Sequence, residues 1–197
     1  MLPSLILCIL TLMEGERDLY YASLITPVGR IWLVGDGVTL WRARLGEEGE
    51  LLEEVRSVFG AFPSPSEEML KGPLKELSAY FQGRLRSFST PLRLEGTPFE
   101  LRVWERLRDV PFGETISYGR LAEAAGAPRA SRAVGRAVGK NPLLIFVPCH
   151  RVIGSDGTLK GFTAPGGVEM KRRLLEHERR CLKRRISPSP SRRRSAS

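Results

Sequence analysis

Residues 116–153, ISYGRLAEAAGAPRASRAVGRAVGKNPLLIFVPCHRVI, decide how the rest of this chain is read. Ser117 stands before a helical run that turns Leu121 inward and ends near Ala125, with Gly126 behind it. A serine there accepts from the free N–H groups of the first turn, and glycine allows a left-handed exit. A second run opens close to Pro128 and lasts to about Lys140, where Asn141-Pro142 stops it. Two short helices joined by a glycine-containing turn make a helix-turn-helix candidate. Many helical hairpins share that outline, so the composition of the second helix matters. Ala130, Ala133 and Ala137 fall at i, i+3 and i+7, with Gly135 and Gly139 nearby. A face this small admits another backbone, either a helix of the same domain or a nucleic-acid groove. Arg132 and Arg136 stand on another side, where a guanidinium can pair with phosphate, enter a base stack or simply face water.

The apolar run 143–147 (LLIFV) reads as a short buried strand that delivers Cys149 at its end, beside His150 and Arg151. A free thiol is only about 3% thiolate at neutral pH, and a nearby cation or imidazole raises that share. Cysteine is intrinsically nucleophilic and needs little more help. An isolated cysteine is usually a small buried hydrophobe, but Pro148 and His150 around it argue for chemistry. Neighbouring side chains of an extended chain point apart. His150 must therefore sit on a turn, or work through a water, to serve Cys149 as a base.

Upstream, YYASLIT (20–26) and RIWLV (30–34) flank Pro27-Val28-Gly29 and predict a hairpin, and VTLWRARL (38–45) alternates like a third strand. Glu50–Phe59 carries apolar residues at 51, 52, 55, 58 and 59, the spacing of an amphipathic helix. Leu74, Leu77, Tyr80 and Phe81 form a second stripe that stops at Gly83. Residues 18–95 thus read as a small α/β scaffold domain, a hairpin-containing sheet with helices. Residues 96–180 read as a mainly α C-terminal domain with the helix-turn-helix, opened by a helix through Phe99, Val103 and Leu107.

The two ends read differently. Residues 1–17 hold an apolar run, Leu2–Leu12, too short to span a bilayer and without the basic start of a secretory signal; Met13 fits an effective first residue. Residues 181–197 form an Arg/Ser/Pro-rich stretch that predicts a disordered basic tail. The formal net charge is +9, from 31 Lys and Arg against 22 Asp and Glu. Eight of the basic residues lie after Glu178 with no acid among them, which leaves the body nearly neutral. That excludes a broadly basic DNA-coating protein, and DNA contact by the body must be local. Three scattered cysteines and two histidines support neither a disulfide framework nor a zinc site.

PCHRV at 148–152 resembles the active-site motif of the O6-alkylguanine-DNA alkyltransferases, the methylated-DNA–protein-cysteine methyltransferases. ISYGRLAEAAG (116–126), RAVGRAVGKNP (132–142), GSDGTLKGF (154–162), PGG (165–167) and KRRLLEHE (171–178) follow that family's order and spacing. The likeness is close over 96–178 and loose over 19–95. It implies that Cys149 is the nucleophile and irreversible alkyl acceptor, His150 its water-mediated base and Glu178 the carboxylate that orients His150. It makes Asn141 the residue tying the recognition helix to the active-site turn. Tyr118 and the Val152 carbonyl would contact an extruded guanine, with Phe162 and Thr163 also at the substrate pocket. Arg132 would enter the stack, while Ala130, Ser131, Ala133 and Gly135 face the minor groove. The partner implied is duplex DNA containing O6-alkylguanine, or O4-alkylthymine, met by a cytoplasmic monomer with no membrane contact, cofactor or metal.

Phe162 stands where many relatives carry Tyr, and the loop Thr163-Ala164-Pro165 is longer than in some, which bears on substrate range. Two rival readings remain on the residues alone. One is a non-catalytic lesion-binding protein built on the same helix-turn-helix, and the other a cysteine hydrolase using Cys149 and His150.

Overall fold

The computed structural model describes residues 18–184. The apolar leader, and the tail from residue 185 onward, lie outside the described residues. The N-terminal part opens with β1 (Tyr20–Thr26), β2 (Gly29–Gly35) and β3 (Leu40–Leu45), followed by α1 (Glu48–Phe59). A two-residue strand β4 (Ser64–Pro65) and α2 (Lys71–Phe81) complete it. The sheet order is β3-β2-β1-β4; the first three strands pair antiparallel and β4 runs parallel to β1.

Alternation along β2 explains why it is apolar from Ile31 to Val34. Ile31 and Leu33 face the main core with Leu77 and Tyr80 of α2, while Trp32 and Val34 face Leu51 and Val55 of α1. A strand covered on both faces reads as a continuous hydrophobic run rather than an alternating one. The third strand starts at Leu40, two residues later than its alternation predicts, because Asp36–Thr39 form a turn; the Asp36 carboxylate accepts from the N–H groups of Val38 and Thr39.

The C-terminal part begins with α3 (Pro98–Arg108), which Thr97 and Glu100 cap reciprocally with Pro98 at its first position. After β5 (Ile116–Ser117) come α4 (Tyr118–Ala124), capped by Ser117, and α5 (Ser131–Gly139). Gly126 has φ +71°, the left-handed exit that a glycine supplies at little cost. The helix-turn-helix is therefore present, but α5 starts at Ser131 and Pro128 lies in the turn before it. The alanine face also divides. Ala137 points into the core, and its carbonyl accepts from Trp104 Nε1 at 2.8 Å. Ala130, Ala133 and Gly135 remain partly exposed.

Residues 143–147 are buried but do not form a regular strand. Leu143 bridges Ala43 of β3, with Ala43 N–H donating to Pro142 O at 3.0 Å and Leu144 N–H to Ala43 O at 2.9 Å. Ile145 then takes φ +74°, strained for a β-branched residue, and Val147 N–H closes onto Leu143 O at 2.8 Å. The run thus docks on the N-terminal sheet and turns sharply. Cys149 opens a 3₁₀ turn, Cys149–Arg151, instead of ending a strand.

β6 (Val152–Ile153) pairs parallel with β5, and the chain closes with α6 (Gly167–Arg184). A disordered tail starting at 181 is not what the structure has: helix continues through Arg184. Cys181 and Leu182 still pack on the core, so burial holds the helix beyond the Glu178 end of the family likeness.

Candidate active site

Cys149 is 5% exposed and its thiol is free. The 3₁₀ turn sends consecutive side chains in different directions, which lets Cys149 line a cavity while His150 is wholly buried. His150 Nε2 lies 2.9 Å from Glu178 Oε1 on α6. Its Nδ1 is buried and has no hydrogen-bond partner among the described residues. Asn141, just past α5, donates to Val147 O at 2.8 Å and accepts from Leu143 N–H at 3.0 Å. That side chain fastens the end of the recognition helix to the strained turn before Cys149.

Glu178 is fully buried among donors. Arg151 reaches it through Nη2 at 2.8 Å and Nε at 3.2 Å, and Gly113 N–H donates to Oε2 at 2.7 Å. Gly113 takes φ +81°, a conformation strained for any other residue, and a Cβ there would also push Leu182 Cδ1 aside from 2.2 Å. Burial alone would raise Glu178, but its hydrogen bond to His150 and the Arg151 guanidinium hold its carboxyl down at about 2. Burial pushes the Cys149 thiol up, against the pull of Asn141 and of nearby Lys171, and pushes His150 down, against Glu178. At neutral pH the resting pair is therefore a thiol and a neutral imidazole beside a carboxylate.

Two cavities adjoin the thiol's surroundings. One of about 150 Å³ is lined by Cys149, Asn141, Pro142, Leu144, the 162–165 loop and, from the N-terminal domain, Ala43–Leu45 and Glu54. The other, about 520 Å³, is lined by Tyr118, Ser131, Gly135, Phe162 and Thr163 among others. Phe162 and Thr163 form a shared wall. Thr163 Oγ1 donates to Gly139 O at 2.9 Å and so pins this loop to α5. Tyr118 is half-buried, and burial raises its phenol further, which keeps it a donor. Val152 is buried in the β5–β6 pair next to the 3₁₀ turn. Arg132 is exposed on α5, with its chain neighbours Ala130, Ser131 and Ala133 partly exposed.

Two buried charged residues of the site carry no role in the motif reading. Lys171 is 0% exposed, its Nζ 5.6 Å from the Tyr118 ring centre and 5.9 Å from that of Phe162, with Lys160 O as acceptor at 3.3 Å. Its signal was in the sequence. Lys171, Leu174, Leu175 and Glu178 share one face of α6 at i, i+3, i+4 and i+7, so two charged residues sit in an apolar stripe. Arg151 lay inside the quoted motif without a role; it neutralises Glu178 and donates to Val110 O at 2.6 Å.

A helix-turn-helix domain with a buried cysteine, a histidine–glutamate pair behind it and a cavity in front defines a DNA-binding protein armed with a nucleophile. The 6-O-methylguanine DNA methyltransferase DNA-binding domain matches residues 98–180, and the ribonuclease-like domain of the same family matches residues 19–94. The methylated-DNA–protein-cysteine methyltransferase of Mycobacterium tuberculosis is 42% identical over 161 residues, 82% of this chain and 93% of that protein. The one from Methanosarcina acetivorans is 40% identical over 163 residues, 83% of this chain and all of that protein. The crystal structure of Mycobacterium tuberculosis OGT in complex with DNA superposes with a TM-score of 0.72 at 41% identity, covering 82% of this chain and 94% of that one. This chain belongs to the 6-O-methylguanine DNA methyltransferase family.

Proposed function

We propose that this protein repairs duplex DNA by moving an alkyl group from O6 of guanine irreversibly onto Cys149. The observation that carries the reading is the free Cys149 thiol at a cavity wall, on the same turn as a His150 whose other nitrogen is held by Glu178 at 2.9 Å. The lesion is stacked inside the duplex, so the nucleotide must rotate out to meet a buried thiol. Partly exposed Ala130, Ser131, Ala133 and Gly135 suit close approach to a minor groove, and exposed Arg132 suits insertion where the base was.

In the reaction, the Cys149 proton passes through a water to His150 Nδ1, and Glu178 steadies the imidazolium. Sulfur attacks the alkyl carbon in line, the S–C bond forms, and the C–O6 bond breaks. Tyr118 donates to the departing guanine, and the Val152 carbonyl accepts from its exocyclic amine. Phe162 and Thr163 wall the pocket. The thioether product is not hydrolysed, so each molecule acts once. The reading is of a cytoplasmic monomer that needs no cofactor; among the described residues no helix is long and apolar enough to cross a membrane.

Intact-protein mass after incubation with an O6-methylguanine duplex tests this. A gain of one methylene, localised to the Cys149 peptide, is the expected result. Unchanged mass with retained binding would leave a lesion-binding protein instead.

A further inference from the structure

Glu178 receives one donor from outside its own domain. Tyr80, on α2 of the N-terminal domain and 0% exposed, places its hydroxyl 2.9 Å from Glu178 Oε1 across 98 residues of chain. The ring cannot swing away. Its centre lies 5.1 Å from Phe81, 5.6 Å from Phe88, 5.7 Å from Phe112 and 5.3 Å from His177. A buried tyrosine needs an acceptor, and a passive core tyrosine would be content with any carbonyl. The acceptor here is the same oxygen that faces His150 Nε2.

A carboxylate offers roughly four acceptor sites. His150, Arg151, Gly113 and Tyr80 supply the donors, with Tyr80 and His150 on Oε1 and Gly113 on Oε2. The group cannot rotate without breaking a charge-assisted bond, each of which is stronger than a neutral one. We propose that Tyr80 is a positioning residue of the alkyl-transfer relay, whose hydroxyl fixes Glu178 Oε1 toward His150 and sets how strongly that oxygen holds the imidazole proton. The inference rests on the alkyl-transfer reading above and extends it: the N-terminal domain is part of the reaction machinery through one hydroxyl.

The direction of the effect follows from charge. A donor on Oε1 draws negative charge away from His150. Removing it leaves the carboxylate a stronger partner for the imidazolium, so His150 should hold its proton to higher pH, and the carboxylate is positioned by three groups instead of four. The other charged or titratable groups facing this cluster are Arg151 and Cys149 on the turn, Lys171 and Cys181 on α6, and His177 against the Tyr80 ring. A Tyr80→Phe change alters none of them.

Tyr80→Phe keeps the ring and deletes the hydroxyl. Transfer from free O6-benzylguanine should slow roughly tenfold at neutral pH, the loss of one hydrogen bond to a charged group. The acid limb of the rate and the His150 midpoint, followed by NMR of labelled histidine and assigned with His177→Gln, should both move to higher pH. Fluorotyrosine placed at position 80 strengthens the donor and should move the midpoint the other way; it also decides the matter if the Phe variant does not fold. A His150 midpoint and a rate profile superimposable on wild type, whatever the change in rate or unfolding temperature, would overturn the proposal. Failure of the wild type to take up an alkyl group would remove the alkyl-transfer reading, whereas the His150 midpoint reports on Tyr80 independently of activity.

Discussion

His150 Nε2 and Glu178 Oε1 stand 2.9 Å apart, both side chains at zero exposure, joined across 28 residues by the return of α6 onto the 3₁₀ turn. The contact leaves Nδ1 as the imidazole's remaining proton acceptor, and Nδ1 has no partner among the described residues. A base whose second nitrogen is anchored by a carboxylate is oriented for one proton and one direction.

Cys149→Ser should abolish alkyl uptake while duplex binding stays nearly intact, because Cys149 lies on the turn and not on α5. Wild type should show a single burst, one alkyl group per molecule. Mass spectrometry after incubation with alkylated duplex checks both. Uptake by the variant at Cys181, the other free cysteine among the described residues, would overturn the assignment of the nucleophile.

Acid should weaken the fold in two stages. His150 is held below its ordinary 6.5 by burial, so the unfolded chain takes up that proton first, and stability falls as pH drops through about 6.5. Glu178, at about 2, contributes stability above its unfolded value that is lost as pH falls from about 4.5 toward 2, about 3 kcal/mol in all. Denaturant unfolding at a series of pH values measures this. The acid limb of alkyl transfer should lie below 6.5, where His150 gains its proton; a limb above 6.5 would mean the imidazole is not depressed.

Glu178→Gln should slow transfer and destabilise the protein together. Arg151 would keep its buried charge with no counter-ion, a loss of about 3 to 5 kcal/mol. Urea midpoints read the stability, and transfer from free O6-benzylguanine reads the chemistry. Loss of stability with an unaltered rate would take Glu178 out of the relay.

Arg132→Ala should slow transfer from duplex DNA far more than from the free base. An inserted side chain offsets an unstacking cost of a few kcal/mol that the free base does not incur. Rates on the two substrates give the ratio. Equal slowing would place Arg132 in the pocket or the fold.

Truncation should begin after Arg184. Leu182 packs against Gly113, whose N–H serves Glu178, so removing 181–184 disturbs the site as well as the charge. Deleting 185–197 removes four arginines. It should leave transfer to the free base unchanged and flatten the salt slope of duplex binding by up to about 3 to 4. An unaltered slope would leave that segment with no part in DNA binding.

Local pattern alone determined much of this protein. The hairpin at Pro27–Gly29, the Ser117 cap and the Gly126 exit all depend on neighbouring residues, and the structure has each of them. The family was legible for the same reason. Contacts across the chain decided the rest. LLIFV has the composition of a strand, yet docking on β3 and the left-handed Ile145 fold it into a turn, and that turn is what separates Cys149 from His150 in direction. Ala137 looked like part of an open face until Trp104 closed over it. Arg44 and Glu54, on the α/β domain that read as a scaffold, line the thiol's cavity, and Tyr80 touches its carboxylate. No spacing within one segment encodes such a contact, because a hydrogen bond over 98 residues exists only once sheet, helices and the closing α6 have packed on a common core.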